Sequence, residues 1–473
     1  MASHLNFILI PFMAPGHITP MINMAHSLSK HGVAAAIILT HFDAARFSSA
    51  IDPIRLLKIR FPSSEAGLPP ACQSADTLPS HDLLPNFAAA IKMLQRPVRQ
   101  MLRELHPTPS CIISDKLLTW TAATCDELQL PRIVFDGMNC FTQLVTHNLC
   151  VSNVYQTDQP FLVPGLPDRV ELTRLQLPGF FNPGPKHVPG FREQVRETEA
   201  SAYGVVVNSF EELEKSYFHE FRKVRGGKVW CVGPLSLCSS KNMVKEVSID
   251  SDPCLKWLDG REPASVVYAC LGSLSRPSPA QFAELALGLE ASERPFILVA
   301  KGAEIWKWIG DEGIEERTRE RGVFVRDWAP QEAILSQPGV GAFLTHCGWN
   351  STLEGICAGL PMVTWPLFAE QFLNEKLVVG ILEIGVGVGA KCVVHVGEEE
   401  GEKKVRRDGI KEAIEMVMDK GSEGCKRRKR AQEFAEIAKG AVREGGSSFL
   451  NVEDLIQDIH RFTKNKKQID TAG

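Results

Sequence analysis

The apolar positions of this chain switch between short continuous runs and a helical period. Residues 6–13 form an apolar run that predicts a strand, and residues 33–40 form a second one. Between them, four apolar residues fall at i, i+3, i+4 and i+7, which is one face of an α-helix. These residues are Met21, Met24, Ala25 and Leu28. A strand, a helix and a second strand in this order predict a βαβ unit with parallel strands.

The same alternation recurs through both halves of the chain. A helix start is predicted where Ser278 precedes Pro279 and Gln281 follows three positions after the serine, which is the capping-box pattern. Residues 61–80 and 160–190 are rich in proline and predict irregular segments. Further strands are predicted at 111–114, 132–135, 265–272, 295–300, 322–326, 341–345 and 361–364. Strands that alternate with helices predict an α/β architecture, in which helices cover both faces of parallel sheets.

The length of the chain, 473 residues, exceeds what one hydrophobic core usually holds, so two domains are expected. The apolar periodicity lapses at residues 233–251. We therefore predict a first domain at 1–240, a linker at 241–252 and a second domain at 253–450. The mixed-charge run 397–408 predicts an exposed loop.

Composition narrows the class of protein. The net charge of −4 argues against a nucleic-acid partner, because such proteins need cations for the phosphates. The 13 cysteines show no CxxC pairs, which indicates reduced thiols in a cytoplasmic protein. No apolar run is long enough to span a membrane, and the apolar start lacks the basic region of a signal peptide. The basic run 426–430 predicts a solvated helix face.

Two polar residues follow predicted strands of the first half. His17 lies in the turn after the first strand, and Asp115 directly follows the strand at 111–114. Ligands of parallel sheets bind at the carboxyl ends of strands. A carboxylate there can orient a histidine and stabilise its charged form, which would make an acid–base dyad. A solvated loop histidine is the alternative interpretation.

The most informative stretch runs from Trp328 to Gln371. It contains a strand-like run at 341–345, a turn at 346–349, and a polar helix start at Asn350-Ser351. The first N–H groups of a helix have no partner inside the helix and attract anions. The stretch therefore predicts a phosphate-binding turn, with an ordinary capped βα unit as the alternative.

Over its whole length this stretch resembles the signature box of plant UDP-sugar-dependent glycosyltransferases, the family 1 enzymes of secondary metabolism. Two further segments carry the resemblance: Pro15-Gly16-His17-Ile18-Thr19-Pro20, and Gly272-Ser273 after a hydrophobic strand. The resemblance implies a GT-B-like α/β fold, with two doubly wound, Rossmann-like domains that face each other across a cleft. It also implies that the last helix, at about 451–473, returns to the first domain.

The resemblance also implies roles for individual residues. His17 would be the general base and Asp115 its partner. Trp328 would stack on uracil, the Ala329 backbone would bind the edge of that base, and Gln331 and Glu354 would hold the ribose. The phosphates would be contacted by Ser273, His346, Asn350 and Ser351, and the sugar by Trp349, Glu370 and Gln371. Trp365 is expected in the core. The expected acceptor-binding residues, which rest on their place in the first domain, are Phe87, Ile91, Leu94 and Asn139.

The expected activity is inverting transfer of glucose from UDP-glucose to a hydroxyl of a small lipophilic acceptor, which gives a β-glucoside. Flavonoid, triterpenoid and steroid-like acceptors fit this expectation. We expect no metal and no cofactor beyond the co-substrate, and a cytoplasmic monomer without a nucleic-acid partner or membrane segment. The alternatives are another UDP-sugar, C-glycosylation, a nucleotide-sugar-binding protein without turnover, and a dehydrogenase.

Two motifs of the chain resemble known binding motifs, and two positions depart from the pattern of the family. Asp250-Ser251-Asp252 matches a metal-binding pattern but lies in the predicted linker, so we interpret it as a turn. The glycines at 385–389 lack the spacing of a dinucleotide-binding loop. Lys116 stands where the family usually has an apolar or aromatic residue beside the acid, and its charge is expected either at the dyad or in solvent. Cys270-Leu271 replaces the commoner Ser-Phe and is expected to be a change within the core.

Overall fold

The computed structural model describes residues 5–184, 190–238, 252–275, 277–394 and 405–472. Its strands, in chain order, are β1 (Asn6–Ile10), β2 (Ala34–Thr40), β3 (Arg55–Ile59), β4 (Cys111–Asp115), β5 (Arg132–Asp136), β6 (Phe161–Leu162), β7 (Glu171–Leu172), β8 (Gly204–Val207), β9 (Val229–Cys231), β10 (Val266–Cys270), β11 (Phe296–Ala300), β12 (Gly322–Arg326), β13 (Val340–Thr345), β14 (Met362–Thr364) and β15 (Gly385–Gly387).

The α-helices are α1 (Pro15–Lys30), α2 (His41–Arg46), α3 (Ser48–Ile51), α4 (Leu84–Met93), α5 (Gln95–Glu104), α6 (Trp120–Leu128), α7 (Cys140–Ser152), α8 (Phe191–Ala200), α9 (Lys215–Val224), α10 (Pro253–Asp259), α11 (Pro279–Ala291), α12 (Ala303–Glu312), α13 (Ile314–Thr318), α14 (Gln331–Leu335), α15 (Trp349–Cys357), α16 (Gln371–Glu375), α17 (Arg407–Met418), α18 (Ser422–Ala441) and α19 (Ser447–Ala472). A π-helical segment at Lys376–Ile381 follows α16.

The chain forms two compact units. One contains residues 1–143, 186–243 and 440–473, and the other contains residues 144–185 and 244–439. The sequence-based domain bounds differ from these units, because they place 144–185 in the first domain and 440–450 in the second. The bounds at 1–240 and 253–450 remain a prediction.

The sheet of the first unit has seven parallel strands in the order β3-β2-β1-β4-β5-β8-β9. Successive side chains of β1 point to opposite faces of this sheet. Phe7 and Leu9 join one core cluster, which also contains Val452 and Leu455 of α19. Ile8 and Ile10 join the cluster on the other face. The last helix therefore packs against the first sheet, and it begins at Ser447, before the predicted start at about residue 451.

The sheet of the second unit has six parallel strands in the order β12-β11-β10-β13-β14-β15. Its strand order reverses between β10 and β13, which places the carboxyl ends of these strands at a topological switch point. Trp365 lies in the core cluster of this unit, as expected. The predicted α/β architecture with parallel sheets is confirmed in both units.

Some local expectations are wrong. Ser278 does cap α11, since its Oγ accepts from the N–H of Gln281 at 3.2 Å. The reciprocal half of the predicted capping box does not form. The Nε2 atom of Gln281 instead donates to the carbonyl oxygen of Val405 at 2.9 Å, and its Oε1 accepts from the N–H of Val405 at 3.1 Å. Residues 160–190 were expected to be irregular but include the short antiparallel hairpin β6–β7.

The predicted linker and the Asp-Ser-Asp motif lie mostly outside the described residues, as does the larger part of the expected loop at 397–408. Asp252 is described, and its carboxylate caps α10 by accepting from the N–H groups of Cys254 and Leu255 at 2.8 and 3.2 Å. The glycine run at 385–389 begins as strand β15. Within the described part of the chain, no helix is both long and apolar enough to cross a membrane.

Candidate active site

His17 and Asp115 meet at the carboxyl ends of two neighbouring strands. His17 lies in the first turn of α1, and Asp115 is the last residue of β4, which pairs with β1. The Nδ1 atom of His17 lies 2.7 Å from Oδ2 of Asp115. The other carboxylate oxygen accepts from the N–H of Leu117 at 2.9 Å. Both carboxylate oxygens are therefore held, which fixes the direction in which the acid faces the imidazole.

One side chain of the dyad is buried, and the other is accessible to solvent. The side chain of Asp115 is 2% exposed, whereas that of His17 is 31% exposed. With Nδ1–H donating to the carboxylate, Nε2 is the ring nitrogen that can take a proton. The geometry suits a general base whose charged form is stabilised by a buried carboxylate.

Lys116 does not point into solvent, because its side chain is only 14% exposed. Its Nζ lies 3.2 Å from both carboxylate oxygens of Asp136, the last residue of β5. Gln143 and the N–H of Met138 also donate to Asp136. A polar network thus occupies the strand end beside the dyad. Sequence analysis missed Asp136, although its place after a buried strand is the same signal that identified Asp115.

The predicted acceptor-binding residues are buried in the first unit. Phe87 and Ile91 of α4, together with Leu94, belong to the core cluster that covers one face of the sheet. Asn139 is fully buried, and its Oδ1 accepts from the N–H of Thr142 at 2.7 Å. The three apolar side chains pack in the core and Asn139 caps a turn, so their role in acceptor binding remains a prediction.

In the second unit, His346 follows β13 and lies between two glycines. A Cβ atom on Gly272 would come within 2.5 Å of the His346 ring, and one on Gly348 within 2.4 Å. Burial, followed by the positive charge of Lys301, lowers the pKa of His346 to about 4, so the ring is neutral at pH 7. Its Nδ1 is buried and makes no hydrogen bond within the described residues.

Helix α15 begins beside this histidine. Its N-cap is Gly348, which has no side chain and therefore provides no side-chain cap for the first N–H groups. Asn350 and Ser351, which the sequence predicts at the helix start, lie in the first turn, after the observed N-cap and Trp349. The helix start points its backbone dipole at the turn that carries His346, which is the arrangement that favours an anion.

Gln331 connects α14 to α15. Its Nε2 donates to Oε2 of Glu354 at 2.6 Å and to Oγ of Ser351 at 3.1 Å. Burial, with a further contribution from the charge of Glu332, raises the pKa of Glu354 to about 8, against the opposing hydrogen bond from Gln331. The three predicted donor-binding residues Gln331, Ser351 and Glu354 are thus brought together.

Trp328 is presented to solvent, whereas its neighbour is not. The Trp328 side chain follows β12 and is 72% exposed, and Ala329 is buried. A tryptophan this exposed does not pack in the core, so its indole can stack on a flat ring.

Two of the predicted sugar-binding residues, Glu370 and Gln371, make hydrogen bonds to nearby residues, and the third, Trp349, is buried. The Oε1 atom of Gln371 accepts from the N–H groups of Leu367 and Phe368 at 2.8 and 3.0 Å. Asn374 links Glu370 to the turn of His346, since its Nδ2 lies 3.4 Å from Oε1 of Glu370 and 2.8 Å from the carbonyl of Cys347. Trp349 is buried at the start of α15.

Ser273 is exposed in the loop after β10, next to a residue that sequence analysis missed. Lys301 directly follows β11, and its Nζ lies 3.3 Å from the carbonyl oxygen of Gly272 and 3.4 Å from that of Ser273. The available signal was a cation directly after a buried strand. The expected absence of a metal remains a prediction, and among the described residues no three His, Cys, Asp or Glu side chains form a metal-binding group.

Two family models match the chain. The model described as "Glycosyltransferase, N-terminal domain" matches residues 3–237, and the one described as "UDP-glucoronosyl and UDP-glucosyl transferase" matches residues 255–418. UDP-glycosyltransferase 1 of Barbarea vulgaris is 43% identical, with 98% of this chain and 97% of that protein covered. UDP-glycosyltransferase 73E1 of Stevia rebaudiana is 44% identical, with 97% of each covered.

The fold of this chain is similar to solved structures over nearly its whole length. Glycyrrhiza uralensis UGT73P12, complexed with glycyrrhetinic acid 3-O-monoglucuronide, is 34% identical at a TM-score of 0.91, with 99% of both chains covered. Arabidopsis thaliana UGT89C1, complexed with UDP-L-rhamnose, is 26% identical at a TM-score of 0.73, with 96% of this chain and 98% of that one covered. These similarities confirm the expected GT-B class. The chain therefore belongs to the plant UDP-glycosyltransferases and is an enzyme that transfers a sugar from a UDP-sugar.

Proposed function

We propose that this enzyme transfers glucose from UDP-glucose to a hydroxyl of a small lipophilic acceptor, with inversion at the anomeric carbon and without a metal ion. The observation that carries the chemical part of this proposal is the 2.7 Å contact between His17 and Asp115 at the strand ends of the first sheet. A free hydroxyl is a poor nucleophile until a base takes its proton, and this pair has the composition and geometry of such a base.

The proposed reaction is a single displacement. Nε2 of His17 takes the acceptor proton while the acceptor oxygen attacks the anomeric carbon. The bond from that carbon to the β-phosphate oxygen breaks, and its electron pair leaves with UDP. Asp115 stabilises the imidazolium that forms. Because attack occurs opposite the leaving group, an α-linked donor gives a β-glucoside.

The proposed donor site uses the neutral, backbone-rich region of the second unit. Trp328 stacks on uracil, Ala329 binds the edge of the base through its backbone, and Gln331 and Glu354 hold the ribose. The helix start of α15 and the neutral imidazole of His346 donate hydrogen bonds to the diphosphate. This arrangement supplies stabilisation of the leaving group from fixed dipoles, so the proposal requires no metal step.

Glucose is proposed as the sugar because Trp349, Glu370 and Gln371 offer no cation. A buried glucuronate carboxylate without a charged partner would be costly. UDP-glucose should therefore be preferred to UDP-glucuronate, and Trp349→Arg should narrow that difference. Trp365→Arg is not a suitable control, since Trp365 packs in the core. Trp257→Arg on α10, which lies elsewhere in the same unit, is a matched substitution that should leave the preference unchanged.

The acceptor is proposed only as a class, and related structures suggest which molecules to test. UGT73P12 is complexed with glycyrrhetinic acid 3-O-monoglucuronide, and UGT89C1 has been solved with quercetin. Both molecules belong in a panel with triterpenoid, flavonoid and steroid-like aglycones. Each acceptor is incubated separately with UDP-glucose, UDP-galactose, UDP-glucuronate and UDP-L-rhamnose.

Product formation is read by mass spectrometry, and the anomeric configuration and the linkage by proton NMR. We expect β-O-glucosides from UDP-glucose with at least one acceptor class. Faster transfer from another donor would overturn the proposed sugar, and a carbon-linked product would overturn the proposed hydroxyl acceptor. UDP binding without transfer from any donor in the panel would contradict the proposed transfer to this acceptor class.

A further inference from the structure

Three neighbouring strand ends of the second sheet bring one cation to the proposed diphosphate site. The sheet order places β11 beside β10 and β10 beside β13. Lys301 follows β11, Gly272 and Ser273 follow β10, and His346 follows β13. The side chain of Lys301 reaches across to the β10 loop, with Nζ at 3.3 and 3.4 Å from the Gly272 and Ser273 carbonyl oxygens.

The remaining groups assigned to the diphosphate carry no formal charge. Ser273, Asn350 and Ser351 have neutral side chains, and the His346 ring is neutral at pH 7. A helix N-terminus contributes only about half a unit charge. The diphosphate of a UDP-sugar carries two negative charges at pH 7, and UDP gains a further charge when the sugar departs. Electrostatic balance at a site without a metal therefore calls for a cation.

We propose that Lys301 binds the diphosphate of the donor and offsets the negative charge that UDP gains as it leaves. The binding part needs only a UDP-sugar donor, and the leaving-group part rests on the proposed function. Lys301 stays protonated throughout: the acceptor proton goes to His17, and the electron pair of the broken bond goes to the β-phosphate.

Two contacts of Lys301 with the β10 loop fit this role. Its distances to the two carbonyl oxygens are at the long end of the hydrogen-bond range, so these bonds are weak. A phosphate oxygen is the stronger acceptor for an ammonium group. The flexible stem of lysine allows Nζ to exchange one carbonyl for a phosphate while it remains over the same loop. After burial, the charge of Lys301 is the second cause of the lowered pKa of His346, which is consistent with its position beside that ring.

The test separates charge from loop support by comparing ligands of different charge. Dissociation constants for uridine, UMP and UDP are measured by calorimetry in the wild type and in Lys301→Gln, Lys301→Arg and Lys307→Gln. The glutamine amide can still donate to the loop carbonyls but carries no charge. Lys307 lies on the neighbouring helix α12, is exposed, and is the matched control for loss of a surface charge.

We expect Lys301→Gln to weaken UDP binding by about 10- to 100-fold, the range for loss of one charged hydrogen bond, and to leave uridine binding within about twofold. Lys301→Arg should recover most of the loss, and Lys307→Gln should have no effect. The UDP affinity of the wild type should also fall more steeply with salt than that of Lys301→Gln.

Two results would overturn the proposal. The first is unchanged UDP affinity in Lys301→Gln. The second is an equal loss of uridine and UDP binding, which would assign Lys301 a structural role. Neither measurement requires an acceptor or turnover. An error in the proposed glucose transfer would appear in the donor and acceptor panel instead, so the two failures can be told apart.

Discussion

The His17–Asp115 dyad of the first unit and the proposed donor-binding region of the second unit differ in the groups that set their electrostatics. His17 and Asp115 are two ionisable side chains from distant parts of the chain, and one 2.7 Å contact joins them. The donor-binding region instead uses a helix start, glycine turns and a neutral histidine. In the proposed function, one region moves a proton and the other holds an anion.

This difference implies that chemistry and nucleotide binding can be separated by mutation. In the proposed mechanism, removing His17 takes away the proton acceptor, whereas the contacts described above for the second unit are made by other residues. Removing a group of the donor region should act on nucleotide affinity first. The predictions below test that separation in order of decreasing expected effect.

The largest expected effect is that of His17→Ala on turnover. Loss of a general base typically costs about 100- to 10,000-fold in rate. We expect a loss in this range for transfer to any alcohol acceptor, measured as initial rates at saturating donor. His26→Ala is a poor control because that ring is buried, so His41→Ala, at the exposed start of α2, serves instead. Turnover of His17→Ala near the wild-type rate would remove His17 from the mechanism.

Asp115→Asn should have the next largest effect. The substitution keeps the shape of the side chain but removes the charge that stabilises protonated His17. Transfer to alkyl alcohols should fall by about 10- to 1,000-fold, and transfer to acidic phenols by less, because phenols need less help to lose a proton. Rates with a matched pair of acceptors measure this. Equal losses for both acceptors would indicate that Asp115 only holds the ring in place.

A pH titration should distinguish the donor region from the dyad. Burial raises the pKa of Glu354 to about 8, so this carboxyl is protonated at pH 6.5 without a ligand. If ribose hydroxyls donate to its ionised form, binding lowers this pKa, and uridine affinity rises with pH. We expect about a tenfold gain from pH 6.5 to 8.5, and no gain in Glu354→Gln. An affinity that falls as pH rises would mean that the protonated carboxyl is the ribose-binding form.

The smallest expected effect is that of a chelator. With a helix N-terminus and Lys301 at the leaving diphosphate, initial rates should be unchanged by excess EDTA. The control is the same assay with added magnesium or manganese. A strict requirement for either ion would mean that a metal ion stabilises the leaving diphosphate. The Asp250-Ser251-Asp252 motif would then be the candidate metal-binding site.

Much of the fold follows from the sequence because the central strands are long and continuously apolar. β1 and β13 are fully buried and appear where the apolar runs predict them. The strands that were missed are short or lie towards the edges of a sheet. β3 is an edge strand with exposed positions, and β9 and β15 have three residues each. Such segments lack enough periodicity to be recognised locally.

Most residues of the proposed donor region lie in one stretch of sequence, so a local pattern could group them, whereas the polar contacts of Lys116 and Lys301 required the order of the strands. Lys116 and Asp136 pair because β4 and β5 are neighbours, and Lys301 reaches Gly272 because β11 and β10 are neighbours. Neither adjacency is visible in local patterns. The Gln281 side chain illustrates the same limit, since a tertiary contact with Val405 replaces the expected capping bond.

The most direct test of the separation between proton transfer and nucleotide binding is the affinity of His17→Ala for UDP, measured by calorimetry on the same preparation that is assayed for turnover. The account predicts a dissociation constant within about twofold of the wild-type value, together with the loss of transfer given above. Loss of UDP binding in parallel with turnover would contradict it, because His17 would then belong to the nucleotide site rather than to the acid–base pair.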